Sequence, residues 1–235
     1  TLLGDSRQAR DCSPSEGPEY FQGRYQWYVA TYGRDGAFDP ERRLADVRDA
    51  YLEYRRDVTA RKRRPAADPL DVGAFRFLGP ANGAGRMPAV ELHPSSPDIV
   101  YGGAAGGGCW KSTDRGLTWR SLTDGLSDLS VGAVALAPSD PSIVYLGTGE
   151  GGYGGGFIPG IGILSSSDGG ESWQLPDSVL APLVYRLSVD PRDPRTVLAF
   201  VNGGAYRSTD GARTWVRTSA ASWGDGTDVA RDAAL

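Results

Sequence analysis

The 235-residue sequence is poor in the side chains that build most metal and nucleophilic centres, with one histidine and two cysteines. So few ligands leave almost nothing for a zinc site or a histidine-based catalytic triad. No stretch approaches the roughly 18 consecutive apolar residues of a membrane span. The net charge is −4 rather than positive, which argues against a general nucleic-acid binder. A basic segment followed by an apolar one is also absent, so any export signal has been removed or lies outside this sequence.

Glycine, proline and tryptophan are the abundant residues, with 33 Gly, 16 Pro and 6 Trp. The apolar and charged fractions, 40 % and 23 %, are those of an ordinary globular protein and exclude wholesale disorder. Frequent turn residues together with recurring tryptophan indicate short strands joined by many turns. The composition therefore predicts a mainly β protein.

Residues 1–72 are predicted to form an N-terminal extension that contains an amphipathic helix over about 40–62. Asp39 and Pro40 suit the N-cap and first helical position. An apolar stripe follows at steps of three and four residues: Leu44, Val47, Tyr51, Tyr54 and Val58. Basic residues then cluster at the C-terminal end, where they favour the helix dipole. We expect this helix to dock on its own domain or on a partner.

Residues 73–235 contain three similar segments, at about 86–122, 131–175 and 183–217. Each has an alternating strand, a Pro-x-x-Pro turn, two further strands, a Ser-x-Asp turn that leads to tryptophan, and a last strand. A glycine-rich insertion at 149–162 lengthens the second segment. Four short antiparallel strands per repeat are typical of a β-propeller blade. The repeats therefore predict a partial propeller of about three blades.

The Ser-x-Asp turns have a defined chemistry. An Asp carboxylate can accept hydrogen bonds from the N–H groups of its own turn, and glycine supplies the positive φ that closes it. Tryptophan carries a large apolar area into the packing between sheets. The turn residues are Ser112, Asp114, Gly116, Thr118 and Trp119, then Ser166, Asp168, Gly170, Ser172 and Trp173, then Ser208, Asp210, Thr214 and Trp215. Ala212 replaces the expected glycine, which predicts a looser third turn.

The pattern Ser-x-Asp-x-Gly-x-Thr/Ser-Trp resembles the Asp-box, or BNR repeat, of sialidases, sortilin-type receptors, xyloglucanase-like hydrolases and exported bacterial propellers. Residues 77–175 resemble the sortilin-like members of that exported bacterial class more closely. Residues 20–57 are similar to the extension that often precedes such propellers. The resemblance implies that the boxes are structural turns remote from any active centre. It also implies a periplasmic or extracellular location.

Three blades cannot close a ring, since propellers have at least about four. An open arc would leave strand edges exposed. We therefore favour a longer polypeptide that continues beyond Leu235, the alternative being a partner that covers the open side.

Candidate catalytic residues do not form a set in this sequence. Arg86, Met87 and Pro88 are similar to the Arg-Ile-Pro motif of sialidases, but the other sialidase residues are not found. Glycoside hydrolysis needs two carboxylates across a cleft, and no such pair stands out. We interpret Glu150, in the glycine-rich loop, as a solvated residue. We predict no catalytic residue, no metal and no cofactor.

The function that we favour is that of a non-enzymatic, exported structural or protein-interaction subunit. One setting for it is the periplasmic side of a membrane-bound assembly. Protein partners are expected, and nucleic acid is not. Tyr20, Tyr25, Trp27, Tyr153 and Phe157 are the candidate partner contacts, because aromatic residues are favoured interface anchors. The alternative is a glycan-active or glycan-binding propeller whose active face lies in blades beyond residue 235.

The two cysteines, Cys12 and Cys109, are a candidate disulfide. A bridge between them would close a loop of nearly 100 residues and stabilise the chain by about 4–5 kcal/mol on the chain-entropy model. Nothing in the sequence fixes the distance between them, so the free-thiol state is an equal alternative.

Overall fold

A computed structural model of the chain describes residues 39–62, 85–126, 130–151 and 157–219. Within these ranges, one helix, α1 (Pro40–Lys62), precedes three antiparallel sheets and a short two-stranded ribbon. No helix in these ranges is both long and apolar enough to cross a membrane. This mainly β architecture confirms the predicted partial β-propeller.

Each sheet is one blade, with its strands side by side in chain order. Blade one contains β1 (Ala89–Leu92), β2 (Val100–Ala104), β3 (Gly108–Ser112) and β4 (Arg120–Ser121). Blade two contains β5 (Val131–Leu136), β6 (Val144–Thr148) and β9 (Ile163–Ser166), and a bridge from Ser165 to Gln174 takes the place of a fourth strand. The ribbon of β7 (Glu150–Gly151) and β8 (Phe157–Ile158) leaves blade two after β6. Blade three contains β10 (Val184–Val189), β11 (Val197–Val201), β12 (Gly204–Ser208) and β13 (Val216–Ser219).

Neighbouring blades pack face to face around their first strands, so that β5 lies between β1 and β10. Glycine on the second strand allows this close approach. A Cβ atom on Gly103 would lie 2.5 Å from Cγ1 of Val131 in blade two. A Cβ atom on Gly147 would overlap Val184 of blade three in the same way. The two buried apolar clusters therefore lie between blades one and two and between blades two and three.

Helix α1 buries the N-terminal part of its apolar stripe against the first of these clusters. Leu44 and Val47 are each 2 % exposed, and Tyr51 is also buried. The C-terminal part of the stripe is less buried, since Tyr54 is 44 % exposed. The helix thus docks on its own domain, through three of its turns.

Polar contacts fix α1 on the segment that follows β9. The backbone N–H of Trp173 donates to the Tyr51 hydroxyl at 2.9 Å, in a buried position. Arg48 donates to the carbonyl of Pro176 at 2.6 Å. These contacts link residues more than 120 positions apart, so α1 closes one side of blade two.

We expect Tyr51→Phe to lower the free energy of unfolding by about 1–3 kcal/mol, because it leaves the buried N–H of Trp173 without an acceptor. The ring and its packing stay in place, so the loss isolates the hydrogen bond. Urea unfolding followed by tryptophan fluorescence measures it. Tyr54→Phe is the matched control on the exposed part of α1 and should change stability by less than about 0.5 kcal/mol. Equal effects of the two substitutions would contradict the assignment.

Candidate functional site

The loops of the three blades lie at two opposite ends, because consecutive strands are antiparallel. The Pro-x-x-Pro turns between first and second strands share one end with the Ser-x-Asp turns, and we call this the turn end. Backbone hydrogen bonds join the two kinds of turn: Arg115 N–H to Asp98 O, Gly169 N–H to Ser142 O, and Gly211 N–H to Arg195 O. Connections between second and third strands, including residues 149–151 and 157–162, lie at the other end, the loop end.

The Ser-x-Asp turn of blade one is closed by side chains that bond to its own backbone. The Ser112 hydroxyl donates to Asp114 at 2.8 Å and accepts from the N–H of Gly116 at 2.8 Å. Asp114 also accepts from the N–H of Thr118 at 2.8 Å and from its hydroxyl at 2.6 Å. One serine and one aspartate therefore satisfy most polar groups of the turn.

Blades two and three repeat this arrangement. Ser166, Asp168, Gly170 and Ser172 make the corresponding bonds in blade two, and Ser208, Asp210, Ala212 and Thr214 make them in blade three. Ala212 adopts a φ of +69°, a left-handed conformation that glycine tolerates better, and its N–H still reaches Ser208 at 3.0 Å. The alanine turn thus has the same hydrogen bonds as the glycine turns.

The same hydrogen bonds keep the three aspartates ionised. The hydroxyl and N–H of Thr118, with the Ser112 hydroxyl, hold the pKa of Asp114 at about 2. The hydroxyl and N–H of Thr214 lower the pKa of Asp210 as well. Burial raises the pKa of Asp168, but hydrogen bonds from Ser172 and Ser166 outweigh it and the net pKa is lowered. Carboxylates bound in this way stabilise the turn, and because they stay ionised they are poor proton donors.

The tryptophans that end the turns differ in their surroundings. Trp173 is 4 % exposed and donates to the carbonyl of Leu122 in blade one at 2.9 Å. Trp215 is partly buried against the cluster between blades two and three. Trp119 is 38 % exposed, on the face of blade one that points away from blade two. Trp173 and Trp215 are thus covered by the blade that precedes their own, and Trp119 of blade one is not.

The loop end contains an ion pair between Arg86, just before β1, and Glu150 in β7. The Glu150 side chain is 4 % exposed, so our interpretation of it as a solvated residue is wrong. It is buried because β7 pairs with β8 and the ribbon folds beside the first strands. Burial raises the pKa of Glu150, and the positive charge of Arg86 acts in the opposite direction. A buried carboxylate with a raised pKa can hold or release a proton, but glycoside hydrolysis needs a second carboxylate.

Most of the remaining predicted site residues, both partner contacts and disulfide partners, lie outside the described residues. Cys12, Tyr20, Tyr25, Trp27 and Tyr153 belong to that group. Phe157 pairs with Gly151 in the ribbon. Cys109 is fully buried on β3, which raises the pKa of its thiol to about 12. It forms no disulfide with any described residue, and the pairing with Cys12 stays a prediction.

The turn end holds charged residues that the sequence analysis missed. Arg120 of blade one forms a two-pronged ion pair with Glu171 of the second Ser-x-Asp turn, one prong at 3.0 Å. Lys111 lies over the Tyr101 ring and contacts the carbonyl of Gly169 at 3.3 Å. We call this contact between blades one and two the first junction. Repeat alignment could have suggested it, since Arg120 follows one box tryptophan and Glu171 precedes the next.

Comparison with known proteins gave no matching family model and no matching curated protein. Several solved structures are similar over just over half of the chain. An ancestral GH74 enzyme is 25 % identical, with a TM-score of 0.47, over 57 % of this chain and 18 % of that one. The GH74 xyloglucanase from Xanthomonas campestris is 24 % identical, with a TM-score of 0.46, over 57 % and 21 %. YCF48 bound to a D1 peptide is 18 % identical, with a TM-score of 0.43, over 57 % and 40 %. The aligned part is thus less than half of each of these proteins.

Alanine at the glycine positions of the first two turns should have unequal effects. Gly116 and Gly170 both have φ near +90°, and alanine in that region costs about 1–2 kcal/mol. A Cβ atom on Gly170 would also lie 2.6 Å from Leu122 Cδ1, which adds about 1–3 kcal/mol of overpacking. We therefore expect Gly170→Ala to destabilise the chain more than Gly116→Ala in thermal unfolding. Equal losses of stability in the two variants would mean that the backbone conformation alone determines the cost, without a contribution from the contact with Leu122.

Removal of the hydroxyl donor in the first turn should raise the pKa of Asp114. The lowered pKa implies a contribution to stability that is present above about pH 4, the ordinary range of an unfolded Asp, and is lost as the pH falls towards 2. Thr118→Val should move the carbon-13 NMR titration midpoint of Asp114 upwards and shift acid unfolding to higher pH. Thr59→Val, in the exposed part of α1, is the control. An unchanged Asp114 titration in Thr118→Val would disprove this cause.

Proposed function

We propose that this chain is a non-enzymatic structural or protein-interaction subunit built on propeller blades. The observation that carries the proposal is an exposed apolar face on blade one. Met87, Val90, Leu92 and Trp119 are 43 %, 61 %, 62 % and 38 % exposed. We call these four residues the outer face of blade one.

Comparison with blade two shows what kind of surface covers the equivalent residues. The equivalent residues of blade two are Val131, Val134, Leu136 and Trp173, all 7 % exposed or less. They are buried because blade one packs on them. Blade one also has large apolar residues at all four of these positions. Burial of each such side chain stabilises by about 1.5–3 kcal/mol, so the outer face favours association with another sheet.

Three further parts of the proposal rest on the sequence. We infer that the Ser-x-Asp turns are Asp-boxes of the BNR type and have a structural role. We infer export to the periplasm or cell exterior from the resemblance of residues 77–175 to exported bacterial propellers, with a peripheral place on a membrane-bound assembly as the setting. We also propose that residues 1–72 are an extension before the blades of 73–235, which a disulfide between Cys12 and Cys109 would join to them.

A second candidate is a glycan-active or glycan-binding propeller, and the buried Glu150 favours it. A carboxylate with a raised pKa is what a general acid requires, and Arg86 could orient it. This candidate needs a second carboxylate about 5–9.5 Å away. Xyloglucan hydrolysis that is lost in Glu150→Gln but retained in the exposed Glu53→Gln would support it over the structural proposal.

The structural proposal predicts that the chain is part of a larger complex held through the outer face of blade one. Leu92→Glu places a charge in that face, so the native mass of gently purified material should fall to that of the chain alone. Leu117→Glu is the matched control, since Leu117 is 84 % exposed in the turn of the same blade. Native mass spectrometry, with the denatured chain mass, measures this. A wild-type chain that is free and monomeric, or equal effects of both variants, would overturn the proposal.

A further inference from the structure

A polar groove separates blades two and three at the turn end. Its volume is about 460 Å³, and three arginines line it: Arg55 of α1, Arg195 of the third Pro-x-x-Pro turn and Arg213 of the third Ser-x-Asp turn. Among the described residues that line it, Asp210 is the one acidic residue. The groove lies far along the sheets from the loop end, and it does not include the outer face of blade one.

At the first junction, long side chains bridge the two blades at the corresponding strand positions. Tyr101 pairs in register with Lys111, and Lys111 pairs with Arg120. These two cations extend over blade two, where Arg120 meets Glu171 and Lys111 meets the carbonyl of Gly169. An arginine from one blade and a carboxylate from the next thus close the first junction.

Three substitutions open the second junction. Tyr145 is the counterpart of Tyr101, and it pairs in register with Ser165, which bridges to Gln174. Short neutral side chains therefore stand where Lys111 and Arg120 stand in blade one. The position of Glu171, third after the turn aspartate, is taken by Arg213. The groove consequently has shorter neutral side chains and a cation where the first junction has two long cations and a carboxylate.

The local acidic groups do not supply the missing partner of Arg213. The Asp210 carboxylate already accepts from the hydroxyls of Ser208 and Thr214 and from two backbone N–H groups of its turn. Asp193, beside Arg195, accepts from the hydroxyl of Thr196 and from a backbone N–H. Within the described ranges, Arg213 forms no ion pair.

We propose that this groove binds a carboxylate side chain on an acidic segment of a partner protein. Glu171 is the precedent within this chain: a glutamate on a polypeptide, held by an arginine across a blade junction. Arginine suits this ligand because its planar guanidinium accepts a carboxylate in two-pronged geometry. The hydroxyl of Ser165 and the amide of Gln174 supply further polar contacts beside Arg213. The site is separate from the outer face of blade one, so either proposal can fail without the other.

The affinity of this site is measured by fluorescence anisotropy with a labelled octapeptide of alternating Gly and Glu. The matched probe is the octapeptide of alternating Gly and Gln. Wild-type protein should bind the Glu peptide at least tenfold more tightly than the Gln peptide at 150 mM salt. Arg213→Glu should weaken binding of the Glu peptide at least tenfold. Arg207→Glu makes the same charge change on an exposed residue of blade three outside the groove, and it should change affinity less than twofold. Equal losses in the two variants, or equal binding of the two peptides, would overturn the proposal.

A double substitution separates the groove from simple net charge. Gln174→Arg with Arg213→Glu rebuilds the ion pair of the first junction, reduces the chain's net charge by only one unit relative to wild type and fills the space. We expect it to unfold at no lower temperature than wild type and still to bind the Glu peptide at least tenfold more weakly. Restored binding would show that net charge alone matters. Tighter binding of polygalacturonate than of the Glu peptide, lost in Arg213→Glu, would assign the groove to a polysaccharide and overturn the peptide proposal.

Discussion

The face-to-face packing of one small sheet on the next is the constraint on which this structure depends. Each blade is too thin to bury both of its faces alone, so its apolar residues are covered only where a neighbour approaches. Gly103 and Gly147 permit that approach, because any Cβ atom there would collide with a valine of the following blade. The two buried clusters, the seating of α1 and the exposure of blade one's outer face all follow from this packing.

The Ser-x-Asp turns contribute a separate, local source of order. Their hydrogen bonds lie within seven residues of chain, and all three copies form them, including the copy that has Ala212 in a left-handed conformation. Because each turn fixes its own geometry, the residues it presents to the preceding blade are free to vary. Glu171 and Arg213 occupy the same turn position and have opposite charge, which closes one junction and leaves the other as an arginine-lined groove.

The loop end differs from the turn end, because the carboxylate of its ion pair is buried. Glu150 is withdrawn from water by the β7–β8 ribbon, and Arg86 compensates for only part of the desolvation that raises its pKa. Removal of Arg86 would leave the buried charge of Glu150 unpaired, which is far more costly than loss of a surface pair. The pair therefore anchors the ribbon to the start of β1, whether or not it also meets a ligand.

The sequence by itself determined the blades, their order and the chemistry of their turns, because strand alternation and turn hydrogen bonds depend on residues close together in the chain. It did not determine which faces are covered. Trp119 and Trp173 occupy the same repeat position, yet one is 38 % and the other 4 % exposed. The burial of Glu150, the bond from Trp173 to Tyr51 and the arginines around the groove were likewise decided by tertiary structure. Each arises where segments distant in the chain meet, and no local pattern encodes such a meeting.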